Sequence, residues 1–257
     1  MSVHHLETPF FQRQPVLPLP IQRFLRKRIE AALHDPAQRF HLAWPTVLGA
    51  PRLRELHPDG VPEADLFAHA AKMLAALGVT DPAAAWAETR AAFPDTAERG
   101  ATGWMPTAGW GAFGPLISLR SGWQLMALTP LPLGETYGLS CGVSLFNHGL
   151  YHECHDALEP LWIEADGSLK GALQGLILMT AGYHHLQLQN ANGMKAVWEE
   201  SLARLEAFHG RVETPWGRIG FAEAVRLTAE RLTLLGGTAD WPLLWRLDRP
   251  LWTLENA

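Results

Sequence analysis

The N-terminal part of the chain has the apolar spacing of a surface helix. Between residues 19 and 35, apolar side chains recur every three or four positions, which predicts an amphipathic helix. The apolar positions are Ile21, Phe24, Leu25, Ile29, Ala32 and Leu33. The opposite face carries the basic residues Arg23, Arg26, Lys27 and Arg28. A short basic face of this kind is usually solvated, so it does not by itself indicate an anionic partner.

The pattern changes twice along the rest of the chain. Two further helices are predicted in the N-terminal half, over residues 63–77 and between residues 82 and 93. Residues 100–133 are rich in Gly, Trp and Pro and contain only short apolar runs, which favours short strands or irregular structure over a long helix. After a proline-rich boundary at 130–134, helical patterns return. The predicted helices there span about residues 148–163, 169–189, 194–209 and 221–235.

These elements predict a mostly α protein. Its C-terminal half is expected to be an antiparallel helical bundle, and its N-terminal region to be helical with a Trp/Gly-rich part of irregular or short-strand structure. We place the two domains at residues 1–135 and 136–257. Nothing in the N-terminal domain indicates an activity.

Composition and charge exclude several partners. The formal net charge is -5 and 18% of the residues are charged, so nucleic acid and anionic membranes are not general partners. The two cysteines are too few for a disulfide framework, and the N-terminus lacks the apolar stretch of a secretory signal. The longest apolar segment, residues 173–183, is about half the length of a membrane-spanning helix. We therefore expect a cytoplasmic protein without a membrane segment.

A row of histidines and one glutamate is the strongest chemical signal. If Asn147 caps a helix that starts at the next residue, five side chains lie within about 80° on one side of that helix. These are His148, His152, His155, Glu159 and Trp162. An apolar stripe adjoins this row, which places the row at the edge of the core. Glu153 projects about 200° from His155, and Asp156 lies between the two directions.

The following helix is predicted to lie antiparallel to the first, because only a short turn at Asp166-Gly167 connects them. One side of it carries mostly small residues. That side consists of Gly171, Gln174, Gly175, Leu178, Ala181, Gly182 and His185. Because glycine in a helix interior costs up to about 1 kcal/mol, we expect a neighbouring helix or a ligand to use the room. His185 and Gln174 are then expected to point toward the His/Glu row.

These residues resemble a known family. The runs NHGLYHECHDALEPLW and LQGLILMTAGYHHLQLQNANGMKAVWEESLARL are similar to the domain of unknown function 309, a family of small helical proteins from bacteria and archaea without an established activity. The family motif falls on Asn147, Gly149, Glu153, His155, Asp156, Glu159 and Trp162, and then on residues 173–177, His185, Asn190 and Gly193. Asp156, Leu178 and Gln189 depart from its usual Glu, Gln and Gly. The resemblance covers about residues 144–206 and implies a helical fold and a bacterial source.

One interpretation of the signal is a metal site. Imidazole and carboxylate groups suit zinc, iron or manganese, and a metal-dependent hydrolase or oxidase would follow. The expected ligands are His155, Glu159 and His185, with His152 as an alternative. Expected catalytic helpers are Glu153 and Asp156. Candidate pocket residues are Asn147, Trp162, Gln174 and Asn190.

The other interpretation is structural. The same side chains then form a buried hydrogen-bond network that fixes how two helices cross, with the Trp162 indole as a donor. The protein would be a non-catalytic helical module that binds another protein or a small ligand. Under both interpretations the expected partner is a small molecule or a protein, and a homo-oligomer is compatible.

Overall fold

A computed structural model describes residues 17–34, 36–76, 97–106, 113–128, 131, 137–236 and 239–255. Most of these residues are helical, which confirms the predicted mostly α class. The described residues up to 128 form one compact unit, and those from 131 onward form another. The finer division into independently folding domains, 1–135 and 136–257, stays a prediction. No helix in these ranges has both the length and the apolar character needed to cross a bilayer.

The first unit is built around the amphipathic helix that the sequence predicts. Its described elements are α1 (Leu19–His34), α2 (Phe40–Leu48), α3 (Pro51–Leu56), α4 (Glu63–Ala76), β1 (Ala97–Arg99), β2 (Trp104–Pro106) and α5 (Gly114–Leu128). All six predicted apolar positions of α1 are buried, which confirms its orientation. β1 and β2 pair in antiparallel fashion. The predicted helix between residues 82 and 93 lies outside the described residues.

Helix α5 corrects the prediction of short strands or irregular structure over residues 100–133. β2 agrees with that prediction, but α5 is a continuous helix of 15 residues. Most of its side chains are buried, so it lacks the polar positions that mark a surface helix in a sequence. It packs closely on α2. The Ser118 hydroxyl donates to the Thr46 carbonyl, and a Cβ at Gly49 would lie 2.2 Å from the Gly114 carbonyl oxygen.

The second unit contains the predicted helical bundle and a small sheet. Its described elements are α6 (Tyr137–Asn147), α7 (Tyr151–Glu164), α8 (Gly167–Gln187), α9 (Ala191–Leu205), β3 (Arg211–Thr214), β4 (Gly217–Gly220), α10 (Ala222–Leu234), α11 (Trp241–Arg246) and β5 (Thr253–Glu255). α7 and α8 form the predicted antiparallel hairpin, and α8 packs against α9. The strands form an antiparallel sheet in the order β3-β4-β5, which the sequence pattern does not predict.

The predicted helix start at His148 is wrong. α6 ends at Asn147, and α7 begins only at Tyr151. Gly149 lies between them with a φ of +72°, a left-handed conformation that glycine adopts without steric cost and that interrupts a right-handed helix. The Gln187 amide donates to the Gly149 carbonyl at 2.7 Å, which attaches this turn to α8. Asn147 therefore does not cap α7.

Asn147 instead holds the C-terminal segment of the chain. Its Nδ2 donates to the Trp252 carbonyl, and its Oδ1 accepts from the Trp252 N–H, both at 2.8 Å. The Phe146 ring stacks on the Trp252 ring with centres 3.9 Å apart. Because each hydrogen bond contributes about 1 kcal/mol, the two bonds together stabilise the packing of α6 against the residues that lead into β5.

Two glycines of α8 allow α9 to approach closely. A Cβ at Gly182 would lie 2.2 Å from the Trp198 ring, and one at Gly175 would lie 2.7 Å from the Leu205 side chain. Ser201 of α9 also donates to the Gly175 carbonyl at 2.8 Å. At these positions the small residues serve helix packing, which confirms the expectation of a neighbouring helix.

Candidate metal site on helix α7

Helix α7 brings one imidazole and two carboxylates together. One ring nitrogen of His155 and one oxygen each of Asp156 and Glu159 lie within 4.8 Å of one another. The Nδ1 atom of His155 is 3.3 Å from Oδ1 of Asp156. The Asp156 side chain is 5% exposed and that of His155 is 35% exposed, while Glu159 is half-buried. The group therefore lies at the edge of the core, with its imidazole reachable from solvent.

Helix geometry accounts for this grouping. Residues four apart project from the same side of an α-helix, so His155 and Glu159 are one turn apart on one face. Asp156 follows by about 100° around the helix, and its carboxylate reaches back to the imidazole. Pro160 has no N–H and cannot donate to the Asp156 carbonyl four residues earlier. The helix nevertheless continues to Glu164.

The grouping has dimensions that a metal ion can use. Zinc binds imidazole nitrogen and carboxylate oxygen at about 2.0–2.2 Å, so adjacent ligand atoms on one ion are roughly 3.0–3.5 Å apart. The separation of 3.3 Å between His155 and Asp156 falls in this range. The Glu159 carboxylate oxygen lies within 4.8 Å of both of these atoms. Three protein ligands also leave a coordination position open.

His185, predicted as a third ligand, lies instead beside the start of α9. The Asn190 amide donates to Nδ1 of His185 at 3.2 Å. A Cβ at Gly193 would lie 2.8 Å from the same imidazole, so α9 encloses one side of the ring. Partial burial lowers the pKa of His185, because the charged imidazolium loses hydration there. The structure thus gives this histidine a position at the junction of α8 and α9.

The register of the α7–α8 hairpin explains why His185 is not at the site. The rings of His152 and His184 lie 5.1 Å apart and mark which residues are level across the hairpin. The two helices run in opposite directions. Three residues forward from His152, at His155, therefore correspond to three residues back from His184, at residue 181. His185 is four residues further along, or about 6 Å along the helix axis. Its side chain is therefore displaced by about one helical turn from the level of His155.

The other histidines of the predicted row take separate positions. His148 lies in the turn before α7, and its Nδ1 donates to the Ser144 carbonyl at 2.8 Å. His152 is exposed on α7, and its ring centre is 6.5 Å from that of His155. The row therefore begins at His152 and not at His148.

The remaining candidate residues, Glu153, Trp162 and Gln174, lie on the two helices of the hairpin. Glu153 is buried, with 4% of its surface exposed. The Lys170 ammonium lies 5.3 Å from the centre of the Trp162 ring, and Gln174 is half-buried on α8. The Trp162 indole nitrogen is buried and finds no acceptor within the described part of the chain. Within the described residues, the predicted role of Trp162 as a hydrogen-bond donor in a polar network is therefore wrong.

A comparison with known protein families identifies this segment. Residues 139–197 match the model of DUF309, a domain of unknown function. The match confirms the predicted resemblance and runs from α6 through α7 and α8 into α9. No curated protein and no solved structure matches the chain. The DUF309 segment contains all three side chains of the candidate site, and it supplies no reaction for them.

Two DUF309 motif positions support the scaffold. Both polar atoms of the Asn147 amide bind backbone groups of the C-terminal segment. Asn190 accepts from the Gly193 N–H at 3.0 Å and so caps α9, while its amide nitrogen donates to a histidine. These two predicted pocket residues thus have structural contacts. The sequence predicts Asp156 only as a catalytic helper. The DUF309 motif, however, has an acidic residue directly after its histidine, and this pairing is a sequence signal for a candidate ligand.

Proposed function

We propose that this chain binds a divalent metal ion through His155, Asp156 and Glu159. The observation that carries the proposal is the approach of one imidazole nitrogen and two carboxylate oxygens to within 4.8 Å. Two carboxylates at such a distance repel each other when both are ionised, and a cation between them removes that repulsion. Their location in the DUF309 segment adds support, because these side chains group with one another at motif positions.

The ligand types narrow the choice of ion. Carboxylates suit manganese, and imidazole suits zinc and iron, so a mixed set of one imidazole and two carboxylates fits these three ions. Three protein ligands leave room for water or a substrate, as in catalytic metal sites. A metal-dependent hydrolase or oxidase is the finer proposal that this site supports, and the reaction itself stays a prediction.

Calorimetric titration with Mn²⁺ tests the metal proposal. Mn²⁺ prefers oxygen ligands and reports on a site with two carboxylates. We expect one equivalent in the wild type, lost in Glu159→Gln and in Asp156→Asn. Glu164→Gln, which changes an exposed carboxylate at the end of the same helix, is the matched control and keeps the equivalent. Circular dichroism verifies that each variant is folded. A wild-type chain that binds neither Mn²⁺ nor Zn²⁺ overturns the proposal.

A non-catalytic helical module is the second candidate function. It is favoured by the structural contacts of other polar residues in the segment, such as the Gln187 amide on the Gly149 carbonyl. In this case the contact between His155 and Asp156 is structural as well. His155→Ala would then lower the free energy of unfolding by about 1 kcal/mol, because its hydrogen bond to Asp156 is lost. Urea unfolding of the metal-free wild type and variant measures this loss. If the variant no longer binds metal but is as stable as the wild type, the first candidate is favoured.

A further inference from the structure

The first turn of α9 contains an asparagine that is followed directly by a glycine. Asn192 is exposed, and it lies within the helix that begins at Ala191. Asparagine is a chemically labile residue, and it reacts with the next backbone nitrogen most readily when that residue is glycine, because a side chain there obstructs the attack. The other asparagines, Asn147, Asn190 and Asn256, precede histidine or alanine. The sequence therefore favours this reaction most at Asn192.

The packing of α9 against α8 requires a glycine after Asn192. A Cβ at Gly193 would lie 2.8 Å from the His185 ring and 2.8 Å from the Asn190 amide nitrogen. Real Cβ atoms essentially never lie closer than 3.0 Å to another atom, so a larger residue would push these groups away. The labile pair is thus a consequence of how the two helices meet.

The helical conformation protects Asn192 while the first turn of α9 is closed. The reaction forms a nearly planar succinimide ring, and the helical ψ of about −42° holds the Gly193 nitrogen out of that plane. The Gly193 N–H also donates to Oδ1 of Asn190 at 3.0 Å, so the nitrogen that would attack is already engaged. The Asn190 amide nitrogen donates to Nδ1 of His185 at 3.2 Å, which orients this cap. Reaction therefore needs the first turn to open.

We infer that Asn192 is a site of spontaneous deamidation, and that the Asn190 cap sets its rate by controlling how often the first turn of α9 opens. In the open turn the Gly193 nitrogen attacks Cγ of Asn192, and a new C–N bond forms. The bond from Cγ to Nδ2 breaks, and Nδ2 leaves as ammonia with the proton that the backbone nitrogen gives up. Water then opens the succinimide ring at one of its two carbonyls, which yields aspartate or isoaspartate.

Either product changes the junction of α8 and α9. Both add one negative charge at residue 192, and an aspartate there suits the positive end of the helix dipole. Isoaspartate adds a main-chain atom within the turn, which moves the Gly193 N–H away from its acceptor on Asn190. The inference concerns α9 and does not require the proposed metal site to be occupied.

Peptide mapping by mass spectrometry tests this inference. The folded full-length chain is incubated at mildly alkaline pH, and the conversion of amide to acid is followed at each asparagine. We expect Asn192 to convert before the others, and Asn192→Gln to lose this early conversion, because glutamine closes its larger ring more slowly. The wild type unfolded in urea gives the rate without a helix, and the folded chain reacts more slowly than this.

Variants of the cap separate local opening from global unfolding. Asn190→Ala converts Asn192 about fivefold faster than the wild type, the equivalent of the roughly 1 kcal/mol that a side-chain cap contributes. Asn190→Asp keeps an acceptor for the Gly193 N–H and reacts at close to the wild-type rate. Asn147→Ala is the matched control. It removes two hydrogen bonds from α6 without touching the cap, and conversion at Asn192 keeps the wild-type rate.

Three results overturn the inference. The first is the same rate at Asn192 in the wild type and in Asn190→Ala. The second is an equal acceleration in Asn147→Ala and in Asn190→Ala, since the reaction would then require global unfolding. The third is a folded wild type that reacts as fast as the chain in urea, because the helix would then give no protection.

Discussion

Replacing Gly182 with alanine places a methyl group inside the contact between α8 and α9. The new Cβ would lie 2.2 Å from Cδ1 and Nε1 of Trp198, whereas ordinary van der Waals contact begins at 3.4 Å. The indole must therefore move by more than 1 Å. Trp198 is fully buried and packs edge-to-face against Tyr183 with ring centres 4.9 Å apart, so a shift of the indole disturbs its packing with other core side chains.

The magnitude follows from two opposing terms. Overpacking a well-packed core costs about 1–3 kcal/mol, and a forced movement of this size belongs at the upper end. Alanine recovers about 1 kcal/mol through its better helix propensity. We therefore expect Gly182→Ala to lower the free energy of unfolding by about 2 kcal/mol.

Gly171 provides the matched control in the same helix. A Cβ at this position would meet no atom within 4 Å, so only the propensity term remains and Gly171→Ala raises stability by up to about 1 kcal/mol. Urea unfolding followed by circular dichroism gives both values. If Gly182→Ala is as stable as Gly171→Ala, the small residue at position 182 is not required for the close approach of α9.

Three further results are expected. Asn147→Ala lowers the free energy of unfolding by about 2 kcal/mol through the loss of both hydrogen bonds to Trp252, which urea unfolding measures. Burial lowers the pKa of His185 below its ordinary value of 6.5, so the unfolded chain takes up the proton more readily and stability is lost as the pH falls below about 6.5. An NMR titration that finds the pKa of His185 above 6.5 contradicts this. Cys141 and Cys154 are buried, and burial raises the pKa of the Cys154 thiol, so a thiol reagent at neutral pH labels them only after unfolding.

The sequence predicts helices well where one face meets solvent. α1 shows this most clearly, because its basic residues mark the exposed face and its buried positions follow the helical period. α5 lacks such a contrast, since Trp123, Gln124 and Leu125 are consecutive and all buried. The break at Gly149 is also invisible to periodicity, because a single left-handed residue changes the chain direction without changing the apolar pattern.

The candidate site shows a similar limit. His155 and Glu159 are found from spacing alone, because both lie on one helix one turn apart. The position of His185 relative to His155 depends on the register between two helices, and a helical wheel of one helix does not contain that information. His155 precedes Asp166 by 11 residues and His185 follows it by 19, so an equal count from the turn already indicates that they are not level. Asp156 is predicted only as a catalytic helper, because the wheel represents side chains as straight spokes and ignores how a carboxylate bends toward its neighbour.

The most direct test of the metal proposal is elemental analysis of the untagged protein, purified without chelators, beside the Glu159→Gln variant. We expect zinc, iron or manganese at close to one ion or more per wild-type chain, and a loss of one ion in the folded variant. If the wild-type chain is free of these metals, and stays free after incubation with each of them, this hairpin does not bind metal and the non-catalytic helical module is favoured.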